Sequence, residues 1–113
     1  MLLVLTGCKF TLPQVTSATV EHYQTGGVLQ PSMLNSNQLS KLSEWFSQHD
    51  SGWSSSVASY VPILVVRANH SDGDVSVINV LSDSVVVNNH SGQYTQQFSQ
   101  SDLVIMRSIL SVQ

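Results

Sequence analysis

From Tyr60 to Phe98 the chain alternates β-branched runs with short turn signals, and that rhythm constrains the fold more than any other feature. The runs YVPILVVRA, DVSVINVL, VVVNN and QYTQQF are rich in Val, Ile, Tyr and Thr, which fit a pleated, half-buried surface. HSDGD, SDS and HSG separate them, and Asp72-Gly73 is the strongest of these turn signals. Connections this short join only antiparallel neighbours, because a parallel pair needs a crossover of a dozen residues or more. The stretch therefore predicts a four-stranded meander. Pro62 lacks an amide donor and is expected at a strand start or on an edge. Residues 15–23 also have strand composition, through Val15, Thr16, Thr19, Val20 and Tyr23, and are expected to join the same sheet. No internal repeat of useful length is visible.

Two helices flank the meander. Asn35 followed three residues later by Gln38 matches a capping box, with Leu34 and Leu39 as a hydrophobic staple. Leu39, Leu42, Trp45, Phe46 and His49 then fall on one helical stripe, and Gly52 is the expected stop. Ser99 and Asp102 repeat the capping grammar near the end of the chain, with Phe98 and Leu103 as the staple. Leu103, Met106, Ile109 and Leu110 form the second stripe, with Arg107 pointing away from it. The expected order is β-α-β-β-β-β-α. Two apolar stripes need cover, and one sheet face can cover both. The expectation is an α+β fold: an antiparallel four- to five-stranded meander sheet with two helices packed on one face. The opposite face is expected to be solvent-exposed or a partner surface.

With 113 residues there is room for one domain with a real core. Only 10% of residues are charged, and serine, asparagine and glutamine supply the polar surface. Four Lys and Arg against a net charge of -3 argue against nucleic acid, because a phosphate-tracking surface needs clustered cations. No apolar run approaches the roughly 18 to 20 residues that span a bilayer. A single cysteine excludes an intrachain disulfide and a cysteine-based zinc site.

That cysteine closes the stretch Leu5-Thr6-Gly7-Cys8, which resembles a bacterial lipobox. In lipoproteins a leucine stands three residues before the cysteine and small residues fill the next two positions. The cysteine thiol takes the diacylglycerol and becomes the first residue of the mature chain. The resemblance covers about the first ten residues. A complete export signal also has a basic segment and a longer apolar stretch, so residues 1–8 are expected to be a truncated lipoprotein signal. Residues 9–31 are then a tether and first strand, and residues 32–113 the globular domain. The resemblance implies a membrane anchor at Cys8. Lys9 after the cysteine implies the outer membrane, facing the periplasm, rather than retention at the inner one. The alternative is a soluble cytoplasmic or phage-derived domain in which Leu2 to Leu5 form a buried strand and Cys8 is a buried thiol.

Chemistry-bearing residues are sparse. His70, Asp72 and Asp74 share one hairpin tip and His90 occupies another, and a meander puts both tips at the same end of the sheet. No zinc-ligand spacing is present, and polar turn residues account for the cluster, so no metal is expected. There is no nucleophile elbow, no phosphate loop and no paired carboxylates, so neither an enzyme nor a cofactor is expected. Aromatics are the remaining signal. Trp45 belongs to the apolar stripe, whereas Trp53 lies in a loop beside Gly52 and serines and is the better candidate for a surface role; packing, by folding back onto the last helical turn, is its favoured reading. The candidate binding surface comprises Trp53, Tyr60, His70, Asp72, His90 and Tyr94. The expected role is binding of a protein or envelope component, as an inhibitor, immunity or accessory protein.

Overall fold

A computed structural model of the chain describes residues 9–24, 27–28, 31–55 and 63–111. The strands are β1 (Val15–Gln24), β2 (Gly27–Val28), β3 (Ser32–Met33), β4 (Ser54–Ser55), β5 (Leu64–His70), β6 (Val75–Val80), β7 (Ser84–Asn89) and β8 (Gly92–Gln97). The helices are α1 (Ser36–Gln48), between β3 and β4, and α2 (Gln100–Ile109), after β8. Without the three two-residue strands, the order is β-α-β-β-β-β-α, as the sequence implies. The sheet is open and antiparallel, in the order β2-β1-β5-β6-β7-β8-β4, with β3 also pairing β1. Strands β5 to β8 are the expected meander. β1 extends it on the far side of β5, with Val20 opposite Val66.

Alternation decides which face is the core. Leu64, Val66, Ala68 and His70 of β5 are buried, whereas Arg67 and Asn69 between them are exposed. Val20, Ile78, Val80, Val85 and Val87 share the buried parity and meet Leu42, Trp45 and Phe46 of α1 and Leu103, Met106 and Ile109 of α2 in one cluster. Each such side chain contributes roughly 1.5–3 kcal/mol on burial, several times what helix propensity supplies, so packing rather than propensity holds the helices. The opposite face is only partly open. Val65, Asn79 and Val86 are successive cross-strand partners on it, and all three are buried. The Asn79 amide donates to the Val86 carbonyl at 3.1 Å, which satisfies a polar group placed there.

Both helix starts follow the expected grammar. Asn35 accepts from the Gln38 backbone, and the Gln38 side chain accepts in return from the Asn35 backbone, each at 2.9 Å. Ser99 accepts from the Asp102 backbone at 3.2 Å. Two expectations are corrected. Helix α1 stops at His49, short of Gly52, because the Trp53 indole donates to the His49 carbonyl at 2.6 Å and takes over the capping. Gly52, at φ +86°, instead turns the chain so that Trp53 can return. Arg107 stands off the buried stripe, half-buried, and donates to the carbonyls of Leu81 and Ser82 at 3.4 and 3.5 Å. The second correction concerns the tether. Phe10 is buried against Tyr94, Trp53 and Phe46, with ring centroids 4.9, 5.5 and 6.2 Å away, and its N–H donates to the Asp50 carbonyl at 2.8 Å. Residues 9–14 therefore belong to the fold. Pro62, Tyr60 and Cys8 lie outside the described residues.

Candidate functional site

Helices α1 and α2 run antiparallel and are stitched at both ends. At one end the Gln38 amide donates to the carbonyls of Ile109 and Ser111, at 3.0 and 3.2 Å. The same side chain thus caps the start of α1 and the end of α2. At the other end the Trp45 indole donates to the Asp102 carbonyl at 3.3 Å, and His49 Nε2 lies 3.6 Å from the Asp102 carboxylate. Between these stitches the outer flanks of the helices enclose an open groove of about 580 Å³. Lys41, Glu44 and Gln48 line it from α1, and Val104, Ile105 and Ser108 from α2. Val104 and Ile105 are 58% and 53% exposed. They lie off the stripe that α2 turns to the core, so no packing demand of the sheet explains them. The sequence does carry this signal, as two large aliphatic residues beside a complete stripe.

The six candidate residues do not converge on one surface. Trp53, a surface candidate for which packing was the favoured reading, is fully buried, because its ring stacks on Phe46 while its N–H caps α1. His70 is also buried rather than exposed, because it ends β5 on the core-facing parity. Tyr60 lies outside the described residues. Tyr94 is half-buried, its ring against Phe10 and its hydroxyl 3.1 Å from Ser91 Oγ. Asp72 and His90 remain at the surface, on two neighbouring tips. His90 Nδ1 meets the Asp74 carboxylate across them, so the tips do share one end of the sheet. The Asp74 carboxyl is held below its ordinary range, first by the Val75 backbone N–H and then by His90. Asp72 accepts from the Asp74 backbone at 2.9 Å and closes the turn. Among the described residues, no three His, Cys, Asp or Glu side chains could together hold a metal ion.

Among the described residues, His70 forms the one arrangement that looks catalytic. Its Nδ1 faces the Gln14 carbonyl at 3.1 Å and must donate, which leaves Nε2 to accept from Ser76 Oγ at 2.7 Å. Hydroxyl, base and orienting acceptor are therefore in hydrogen-bonding sequence. Ser76 is nevertheless fully buried, and the groove between α1 and α2 does not reach it. This trio satisfies polar groups inside the core. On the outer face of the sheet, Arg67 pairs with Glu21 at 2.8 Å, and that bond raises the guanidinium pKa.

The fold is an α+β domain with an open antiparallel sheet under a two-helix layer. No family model matches the chain, no curated protein is similar to it, and no solved structure matches it. Among the described residues, no helix is long and apolar enough to cross a membrane.

Proposed function

We propose that this chain is a small lipoprotein of the bacterial envelope, anchored through Cys8 to the outer membrane on its periplasmic side, whose domain binds a protein partner. The stretch Leu5-Thr6-Gly7-Cys8 supports the anchor. One observation carries the binding role, the groove between α1 and α2 with Val104 and Ile105 exposed on its wall. Two bare aliphatic side chains beside Lys41 and Glu44 suit a partner segment that is apolar on one side and polar on its flanks. The role is that of an inhibitor, immunity or accessory protein rather than an enzyme. The test has two readouts in the native host. Cys8→Ser should move the folded domain from membranes to the soluble fraction, and a photo-crosslinker at Ile105 should give one discrete adduct that a crosslinker at Val75 does not. Membrane retention of Cys8→Ser, or identical adducts from both positions, contradicts the proposal.

A second reading is favoured by the burial of Phe10. If the chain already belongs to the core two residues after Cys8, Leu2 to Leu5 could continue into it as a buried strand of a soluble domain. Deleting residues 1–8 then costs several kcal/mol, at roughly 1.5–3 per large apolar side chain. Under the lipoprotein reading the same deletion is nearly neutral.

A further inference from the structure

Lipoproteins can hold their domains on long tethers, far from the bilayer, or directly against it. Here the covalent geometry decides. Phe10 is buried, hydrogen-bonded to Asp50 and surrounded by Tyr94, Trp53 and Phe46. Cys8 is two residues earlier, so the extended chain can carry it no further than about 7 Å from the Phe10 Cα. That reach is about the thickness of one headgroup layer, since a bilayer of 40–45 Å with a 30 Å hydrocarbon core leaves about 5–7.5 Å on each side. Acyl chains on Cys8 must enter hydrocarbon. The thioether-linked glycerol on Cys8 adds only its own short length, so the surface around Phe10 is held at the headgroup layer.

We propose, resting on the lipoprotein reading above, that this corner of the domain is a lipid-contact surface that fixes the orientation of the protein on the bilayer. Its composition fits that role. Lys9 and Asp50 pair at 3.8 Å and leave little net charge. Ser51, Ser54 and Ser55 are exposed and offer hydroxyls to headgroup phosphates and esters. Lys9 also places an ammonium group within reach of those phosphates. From this corner α1 leads away: its thirteen residues carry the chain about 20 Å from the Asp50 end to Asn35. The Asn35 end of the groove, with Gln38 and Ser111, is therefore held clear of the lipid and presented to the periplasm.

The test uses the acylated full-length protein, extracted and returned to vesicles of phosphatidylethanolamine and phosphatidylglycerol. Acylation consumes the only native thiol, so a nitroxide attaches solely to an introduced cysteine, either Ser51→Cys beside the anchor or Asn37→Cys at the far end of α1. On vesicles the Ser51 label should lose accessibility to an aqueous nickel chelate several-fold relative to the unacylated Cys8→Ser protein in solution. The Asn37 label should not change. A long Gly-Ser linker inserted between Lys9 and Phe10 should restore the Ser51 label to its solution accessibility. Equal accessibility of both labels on an acylated protein overturns the orientation and leaves the anchor standing. A protein that carries no acyl chain overturns the lipoprotein reading and the orientation with it.

Discussion

The hairpins β5–β6 and β7–β8 carry the same tripeptide, Asn-His-Ser, at their tips, and the fold treats the two copies in opposite ways. In the first, Asn69-His70-Ser71, the histidine is the last residue of β5. Its position continues the buried parity of Leu64, Val66 and Ala68, so the imidazole enters the core and meets Ser76 and Gln14. In the second, Asn89-His90-Ser91, the buried parity of Val85 and Val87 falls on Asn89 instead. His90 is displaced by one residue into the turn and points to solvent, where it meets Asp74. The asparagines diverge as well. Asn69 donates across to Ser17 at 3.0 Å, whereas Asn89 accepts from the Ser91 backbone at 2.9 Å and closes its own turn, the part that Asp72 plays in the first hairpin. A side chain's chemistry does not determine its role here; its register against a period of two does.

This comparison can be broken by substitution. His70→Ala should have the largest effect, about 2–4 kcal/mol, because it opens a cavity and strands Ser76 and the Gln14 carbonyl without partners. Urea unfolding should show it as a lower midpoint at unchanged slope, while His90→Ala leaves the midpoint nearly where it was. Comparable losses from the two would mean that both histidines are equivalent and the parity argument is wrong. A smaller effect belongs to Gly73, which holds φ +89° in the four-residue turn with no atom within 4 Å of where a Cβ would stand. Gly73→Ala should therefore cost only backbone strain, about 1 kcal/mol. Gly52→Ala, at φ +86°, should cost more, because its Cβ would meet the Gln96 amide nitrogen at 2.8 Å. The ranking of the two by thermal melting checks this.

The smallest effect is the one that depends on pH. Asp74 ionises more readily in the folded protein than in the unfolded chain, since the Val75 backbone N–H and His90 both favour its charged form. Its contribution to stability is present above the ordinary carboxylate range. It is lost as pH falls through that range to the lower folded value. Asp74→Asn should flatten this acid limb, and a variant that loses stability as steeply as the wild type would show that other carboxylates dominate it.

The parts of the fold legible in the sequence are those whose cause is local. Asn35 with Gln38, and Ser99 with the backbone of Asp102, act within four residues, and turns as short as Ser82-Asp83 leave antiparallel pairing as the only option. The burial of Phe10 and the carbonyl partners of Arg107 were not legible, because each depends on residues far along the chain. Trp53 was legible in part: lying just beyond α1 it can fold back onto the last turn, and it does so on the His49 carbonyl and the Phe46 ring. Strands β2, β3 and β4 span two residues each, too short to show any period. The groove was half legible: Val104 and Ile105 stand visibly off the stripe, but that α1 would run beside them depends on Gln38 reaching the end of α2. His70 failed for a subtler reason. A turn signal was recognised correctly, but the strand before it ran two residues further than the turn chemistry suggested, and those two residues decided which way the imidazole faced.

The anchor at Cys8 is tested most directly by the mass of the protein expressed from its native upstream sequence in a bacterial host and extracted from membranes in detergent. The expected result is a chain beginning at Cys8 and carrying acyl groups. An unmodified chain that retains Met1 and stays in the soluble fraction would contradict the anchor, and would place Leu2 to Leu5 with Phe10 as part of the folded domain.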